Sequence, residues 1–171
     1  MDMETGNRYH LQAARYFAEI VNEEGKKSVK HLVEARWHYL QAGEWNRAAE
    51  ITFALEQYLT LHGFPQRSME LLQELEDKAL DDKNRSIVFH LIGILHQAFG
   101  DYEAALTQYR KSLEIKERIG DIKGIALSMG QMGNLHFQKQ EFETALRLFI
   151  QAFQVFTKLG SPNAHKAKNN I

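Results

Sequence analysis

The amino-acid sequence predicts an all-α fold: a right-handed solenoid of helical hairpins, with about eight helices and a short C-terminal capping helix. Three observations carry that expectation. Apolar residues recur at helical spacing, as in Leu11, Ala14, Ala18 and Val21. The 171 residues include only two prolines, Pro65 and Pro162, and most glycines fall between periodic segments. A motif centred on Gly93 also returns forty residues later around Gly133. Self-similarity at a fixed period marks a stack of small units, each burying its apolar face against the next.

The periodic segments place helices at about 7–24, 27–42, 44–62, 65–78, 84–99, 102–119, 122–139 and 142–159. They are separated by Gly25, Gly43, Gly63, Asp81–Asp82, Gly100–Asp101, Gly120–Asp121 and Gln140–Glu141. Glycine just past a helix end takes up the left-handed backbone of a C-cap, and Asp before a start accepts orphan N–H groups. Pro65 suits a first helical turn, where its missing donor costs nothing. Ser161–Pro162 repeats that logic and predicts a ninth helix over 162–170, with Ala164, Ala167 and Ile171 on its inner face. The expected organisation is a single domain: degenerate helical repeats over 1–83, two clear units over 84–160 and a capping segment over 161–171.

Bulk composition narrows the function. A formal net charge of -1 gives no basic footprint for nucleic acid, and no nucleic-acid partner is expected. The absence of cysteine removes disulfides, thiolate zinc sites and cysteine nucleophiles, which fits a reducing cytoplasm. Residues 1–15 lack the apolar stretch of a secretory signal, and no apolar run reaches the roughly 18 residues of a membrane span. No membrane association is expected.

The repeated motif reads Phe89-x-x-Ile92-Gly93-x-x-His96 with Tyr102-x-x-Ala105-Leu106-x-x-Tyr109. It then recurs as Met129-x-x-Met132-Gly133-x-x-His136 with Phe142-x-x-Ala145-Leu146-x-x-Phe149. Gly93 and Gly133 fall where the first helix of a hairpin crosses the second, and Ala105 and Ala145 are the small residues facing them. Tyr109 and Phe149 fill the space between successive units. A larger side chain at Gly133 should overpack that crossing. The pattern resembles the tetratricopeptide repeat, with Phe89 and Met129 in place of the usual Trp and His96 and His136 in place of Tyr. Its longer period resembles the kinesin light chain and bacterial transcription-regulator branch of that family. The segments His10-Leu-Gln-Ala-Ala-Arg-Tyr-Phe and Glu34-Ala-Arg-Trp-His-Tyr-Leu-Gln-Ala-Gly43 are similar to the helical sensor segment of signal-transduction (STAND-type) ATPases. The phosphate-binding G-x4-G-K-[ST] loop of such ATPases does not occur in the sequence.

The resemblance implies protein–protein interaction in a scaffold or adaptor role. A peptide or helix of a partner protein would lie in a concave groove lined by the first helices of the hairpins. The groove candidates are His90, Ile94 and Gln97 from one unit and Gln131, Asn134, Phe137 and Gln138 from the next. Asn134 matches the family position at which Asn often holds a peptide backbone. Leu127 and Gly130 stand where family members place carboxylate-clamping bases, so the resemblance does not extend to C-terminal capture. The alternative implied function is an effector-sensing regulatory segment of a STAND-type ATPase or transcription regulator. Self-association is left open.

No cofactor and no catalytic role are expected. His31, Glu34 and His38 share a helix face, but two turns separate the histidines by roughly 10 Å, too far for one ion. The adjacent carboxylates Glu23–Glu24 and Asp81–Asp82 sit at helix ends, where capping accounts for them. His96 and His136 occupy equivalent packed positions and should each find a hydrogen-bond partner. Trp37, Tyr39, Trp45 and Phe53 form an aromatic concentration read mainly as core.

Overall fold

A computed structural model of the chain describes residues 3–23 and 29–170, and among these every regular element is a helix. In chain order they are α1 Met3–Glu23, α2 Val29–Gln41, α3 Trp45–Leu61, α4 Pro65–Gln73, α5 Asp82–Ala98, α6 Tyr102–Ile119, α7 Ile122–Gln138, α8 Phe142–Lys158 and α9 Asn163–Lys168. The expected all-α architecture of consecutively packed helical hairpins is observed. The Gly25 break and Glu24 lie outside the described residues, as do Ile171 and the side chains of Val21, Glu23 and Ala167.

The boundaries follow local chemistry. Asp101 and Asp121 accept the backbone N–H groups of Ala104 and Gly124 at 3.2 and 2.9 Å, starting α6 and α7. Asp81 accepts the N–H of Asn84 at 2.7 Å ahead of α5. Gly120 ends α6 in the left-handed region at φ 71°. Helix α4 stops earlier than the expected residue 78, at Gln73, and continues as turns through Leu75 and Lys78. Leu75 within those turns and Leu80 after them are both buried.

Tertiary contacts divide the chain into two compact units, Met1–Asn84 and Arg85–Ile171. In the first, Leu32, Leu55 and Leu71 of three successive helices form an apolar cluster with Val29, Ile51 and Leu59 against it. Beside this cluster lies a buried arginine. Arg36 donates to the Thr52 hydroxyl at 2.7 Å, the Leu71 carbonyl at 3.0 Å and the Glu74 carboxylate at 2.7 Å. One guanidinium thereby ties α2, α3 and the end of α4 together, meeting the demand that a buried charge be paired.

In the second unit the repeat is explicit in the packing. A Cβ placed on Gly93 would lie 2.7 Å from the Tyr109 ring, and one on Gly133 would lie 2.6 Å from the Phe149 ring. Each glycine thus admits an aromatic ring against its own backbone. Ala105, Leu106 and Tyr109 of α6 cluster with Met132 and Leu135 of α7, while Ala126, Ala152 and Phe156 form the next layer. Ala164 of α9 packs on that layer, so the ninth helix caps the C-terminal end of α8.

Candidate interaction groove

Of the seven groove candidates, Phe137 and Gln138 are exposed and the other five are half-buried. His90 sets its ring 5.6 Å from that of Tyr109, and its Nδ1 has no hydrogen-bond partner. Burial, and then the neighbouring Lys116 ammonium, pull its pKa down to about 4, so it is neutral at physiological pH. Ile94 packs on the cluster of Ala105, Leu106 and Tyr109.

The other five are three half-buried amides, Gln97, Gln131 and Asn134, and the exposed Phe137 and Gln138. Gln97 accepts from the Tyr109 hydroxyl at 2.8 Å and donates to Gln138 of the next unit at 2.8 Å. That bridge fixes two amides forty-one positions apart, a pairing no sequence spacing announces. Asn134 meets Gln131 at 3.5 Å, the outer limit of a hydrogen bond. Phe137 is 58% exposed and meets Phe142 edge to face, ring centroids 5.4 Å apart.

Gln131 and Asn134 border a cleft of about 260 Å³ between α7, α8 and α9. Its floor is apolar, from Ala126, Phe149, Ala152 and Phe156, and Leu127 and Gly130 complete the α7 wall. Among the described residues that line this cleft none is cationic. Apolar floor with amides at the rim is the composition of sites that bury side chains of a guest and hold its backbone.

The repeat histidines find their partners across the hairpin turns. His136 Nδ1 hydrogen-bonds the Glu141 carboxylate, and His96 Nδ1 approaches Asp101 at 3.7 Å. Each histidine therefore latches the end of a first helix to the start of the second. His31 stacks on Phe17, and His38 Nδ1 lies 2.9 Å from His10 Nδ1. Among the described residues no three ligand-type side chains converge as a metal site would need.

Three features escaped the sequence. Lys116 is buried and donates to the Ser128 hydroxyl at 2.9 Å, and burial lowers its pKa to about 8. A serine beside a weakly basic lysine suggests nucleophilic chemistry, but Ser128 is fully enclosed and a substrate has no approach to it. The second feature is Arg36 with a cleft of about 440 Å³ beside it, lined by Val33, Trp37, Leu59, Arg67 and Glu70 among others. The third is that Trp37 is half-exposed, where the sequence reading placed it mainly in core. Apolar spacing alone does not tell a core arginine or an open tryptophan from its opposite.

Consecutive antiparallel helix pairs crossing at a glycine define a helical-hairpin repeat protein. Within that class, residues 88–119 match the tetratricopeptide repeat family model. The chain is 22% identical over 154 residues, 90% of its length, to the human SH3 domain and tetratricopeptide repeat-containing protein 2. The chain spans about a tenth (10%) of that relative's length. Its fold is similar to that of kinesin light chain-type TPR-like repeats from Podosopora anserina, with TM-score 0.59, 15% identity and coverage of 99% and 85% of the two chains. It is also similar to the apo form of RapI, with TM-score 0.58, 17% identity and coverage of 98% and 47%. Among the described residues no helix is long and apolar enough to cross a membrane.

Proposed function

We propose that this chain is a protein-interaction module whose second unit holds a peptide or helix of a partner protein against α7. The rim amides of Gln131 and Asn134 would bond the guest's backbone. Phe137 would supply an apolar anchor, and the bridged Gln97 and Gln138 would set register from the side. His90 and Ile94 serve behind this face as packing. The observation that carries the reading is the Asn134 amide, which meets Gln131 only at the limit of hydrogen-bonding distance at the edge of an apolar cleft. Tetratricopeptide repeats generally serve binding rather than chemistry, and a scaffold or adaptor role in the cytoplasm is the corresponding proposal for the whole protein.

Selection from a random displayed-peptide library against the full chain tests this. Peptides enriched by the wild type should lose about tenfold or more in affinity when Asn134 and Phe137 are both changed to Ala. Enriched peptides that bind the double variant equally well would remove this face from consideration.

A further inference from the structure

In the second unit each hairpin crosses where an aromatic ring meets a glycine; in the first unit the corresponding crossing holds a charge. The turn into α3, Gly43-Glu44-Trp45-x-x-Ala48, matches the turn into α6, Gly100-Asp101-Tyr102-x-x-Ala105, at an offset of 57 positions. At that offset Arg36 stands at the place of Gly93, and Thr52 at the place of Tyr109. Burial keeps the same register: Ala35, Ala48 and Thr52 are fully enclosed, as are Ile92, Ala105 and Tyr109. Where a ring lies against glycine backbone in α5–α6, the Arg36 guanidinium meets the Thr52 hydroxyl in α2–α3.

A buried guanidinium is costly unless its donors are used. Arg36 is 6% exposed, and its Nε and Nη2 donate to Thr52, Leu71 and Glu74. Its Nη1 carries two further N–H groups and has no hydrogen-bond partner among the described residues. Arg36 also lines the cleft of about 440 Å³, together with an apolar wall of Leu55, Leu59 and Leu71 and the half-exposed Trp37. The residues that line this cleft run from Val29 to Glu74, and all of them lie in the first unit. Its volume is that of a small-molecule site.

Charge decides what can sit there. Glu74 pairs with Arg36 at 2.7 Å and Glu70 with Arg67 at 2.5 Å, so two cations already face two carboxylates. An anionic guest would set a third carboxylate beside Glu70 and Glu74, and an ammonium has no lone pair to offer Nη1. We infer that this cleft binds a neutral amide whose carbonyl oxygen accepts from Arg36 Nη1 while an adjoining branched apolar group lies on the leucine wall. Such a group occurs in a free amide and in a residue within a peptide. The site shares no residue with the α7 face, so either can fail without the other.

The probe is N-acetyl-leucinamide, titrated into the full chain while the Trp37 indole and Arg36 guanidinium N–H signals are followed by NMR. Both signals should shift and saturate, with a Kd on the order of 1 mM. N-acetyl-leucine, a carboxylate at neutral pH, should bind about threefold or more weaker. Glu74→Gln, at a half-exposed position, should reverse that preference, because the guanidinium then lacks its carboxylate. Arg36→Met should bind the amide about tenfold weaker if its melt shows a folded chain; if it does not fold, Glu74→Gln decides alone. A capped Gly-Gly-Leu-Gly-Gly peptide separates the sources. Binding at least as tight as that of N-acetyl-leucinamide assigns the site to a peptide segment, and weaker binding assigns it to a free amide. Absence of saturable shifts, equal binding of amide and carboxylate, or an unreversed preference in Glu74→Gln would overturn the inference.

Discussion

The hairpins α5–α6 and α7–α8 carry the same signature residues and the same crossing, yet they differ in environment. Leu106 is sealed, whereas its equivalent Leu146 faces outward. The half-buried His90 of the first hairpin is replaced at the equivalent position by Gly130 in the second. Gly100 turns the first hairpin at φ 81°, and Gln140 turns the second at φ 62°. A repeat motif thus specifies how one hairpin closes on itself; what covers it depends on its neighbours. Stability and binding potential are consequently distributed unevenly along a nearly periodic chain.

The largest expected contrast comes from truncating the two leucines. Leu106→Ala should cost about 2–5 kcal/mol, through lost burial and a cavity among Tyr109, Met132 and Leu135. Leu146→Ala, at a half-open site, should cost less than about 1 kcal/mol. Paired urea melts measure both, and equal losses would show that the repeats are buried alike.

Acid should act on the first hairpin next. His90 binds its proton near pH 4 when folded and at the ordinary 6.5 when unfolded. The unfolded chain therefore holds more protons between these values, and stability falls as pH drops through that window. The loss should reach about 3 kcal/mol by pH 4 and be absent above pH 7. Urea melts across that range should show the slope, and His90→Gln should flatten it. Lys116 is the charged neighbour of His90 and stays cationic throughout the window, so it adds no titration of its own there.

The smallest effect belongs to the turn. Gln140 occupies the left-handed backbone that glycine takes at the equivalent position 100, at a cost of about 1 kcal/mol. Gln140→Gly should raise stability by about that amount, visible as a rise of about 2–4 °C in the melting temperature. A lowered melting temperature would mean that the Gln140 side chain makes a compensating contact.

Much of the fold is legible in particular residues. Asp101 and Asp121 announce helix starts, Gly120 announces a stop, and the Gly93–Tyr109 and Gly133–Phe149 pairs announce the crossings. These features are local or repeat at a fixed spacing, so a linear reading captures them. The groove candidates were legible only as positions on a helix. Spacing could place Gln97 and Gln138 on their helices, but not show that their amides bond to each other, or that His90 turns inward while Phe137 turns out.

The sequence by itself determined the order of the helices, most of their bounds and the contacts that close the α5–α6 and α7–α8 hairpins, because capping, apolar period and small-residue crossings act over a few residues or one repeat. Only the tertiary structure decided which apolar residues remain uncovered and which polar ones are enclosed. Arg36, Lys116 and Ser128 are buried, and Phe142 and Leu146 are open, because burial depends on what another helix brings to the same place. That neighbour is set by distance in space, and adjacent positions in the chain carry no record of it.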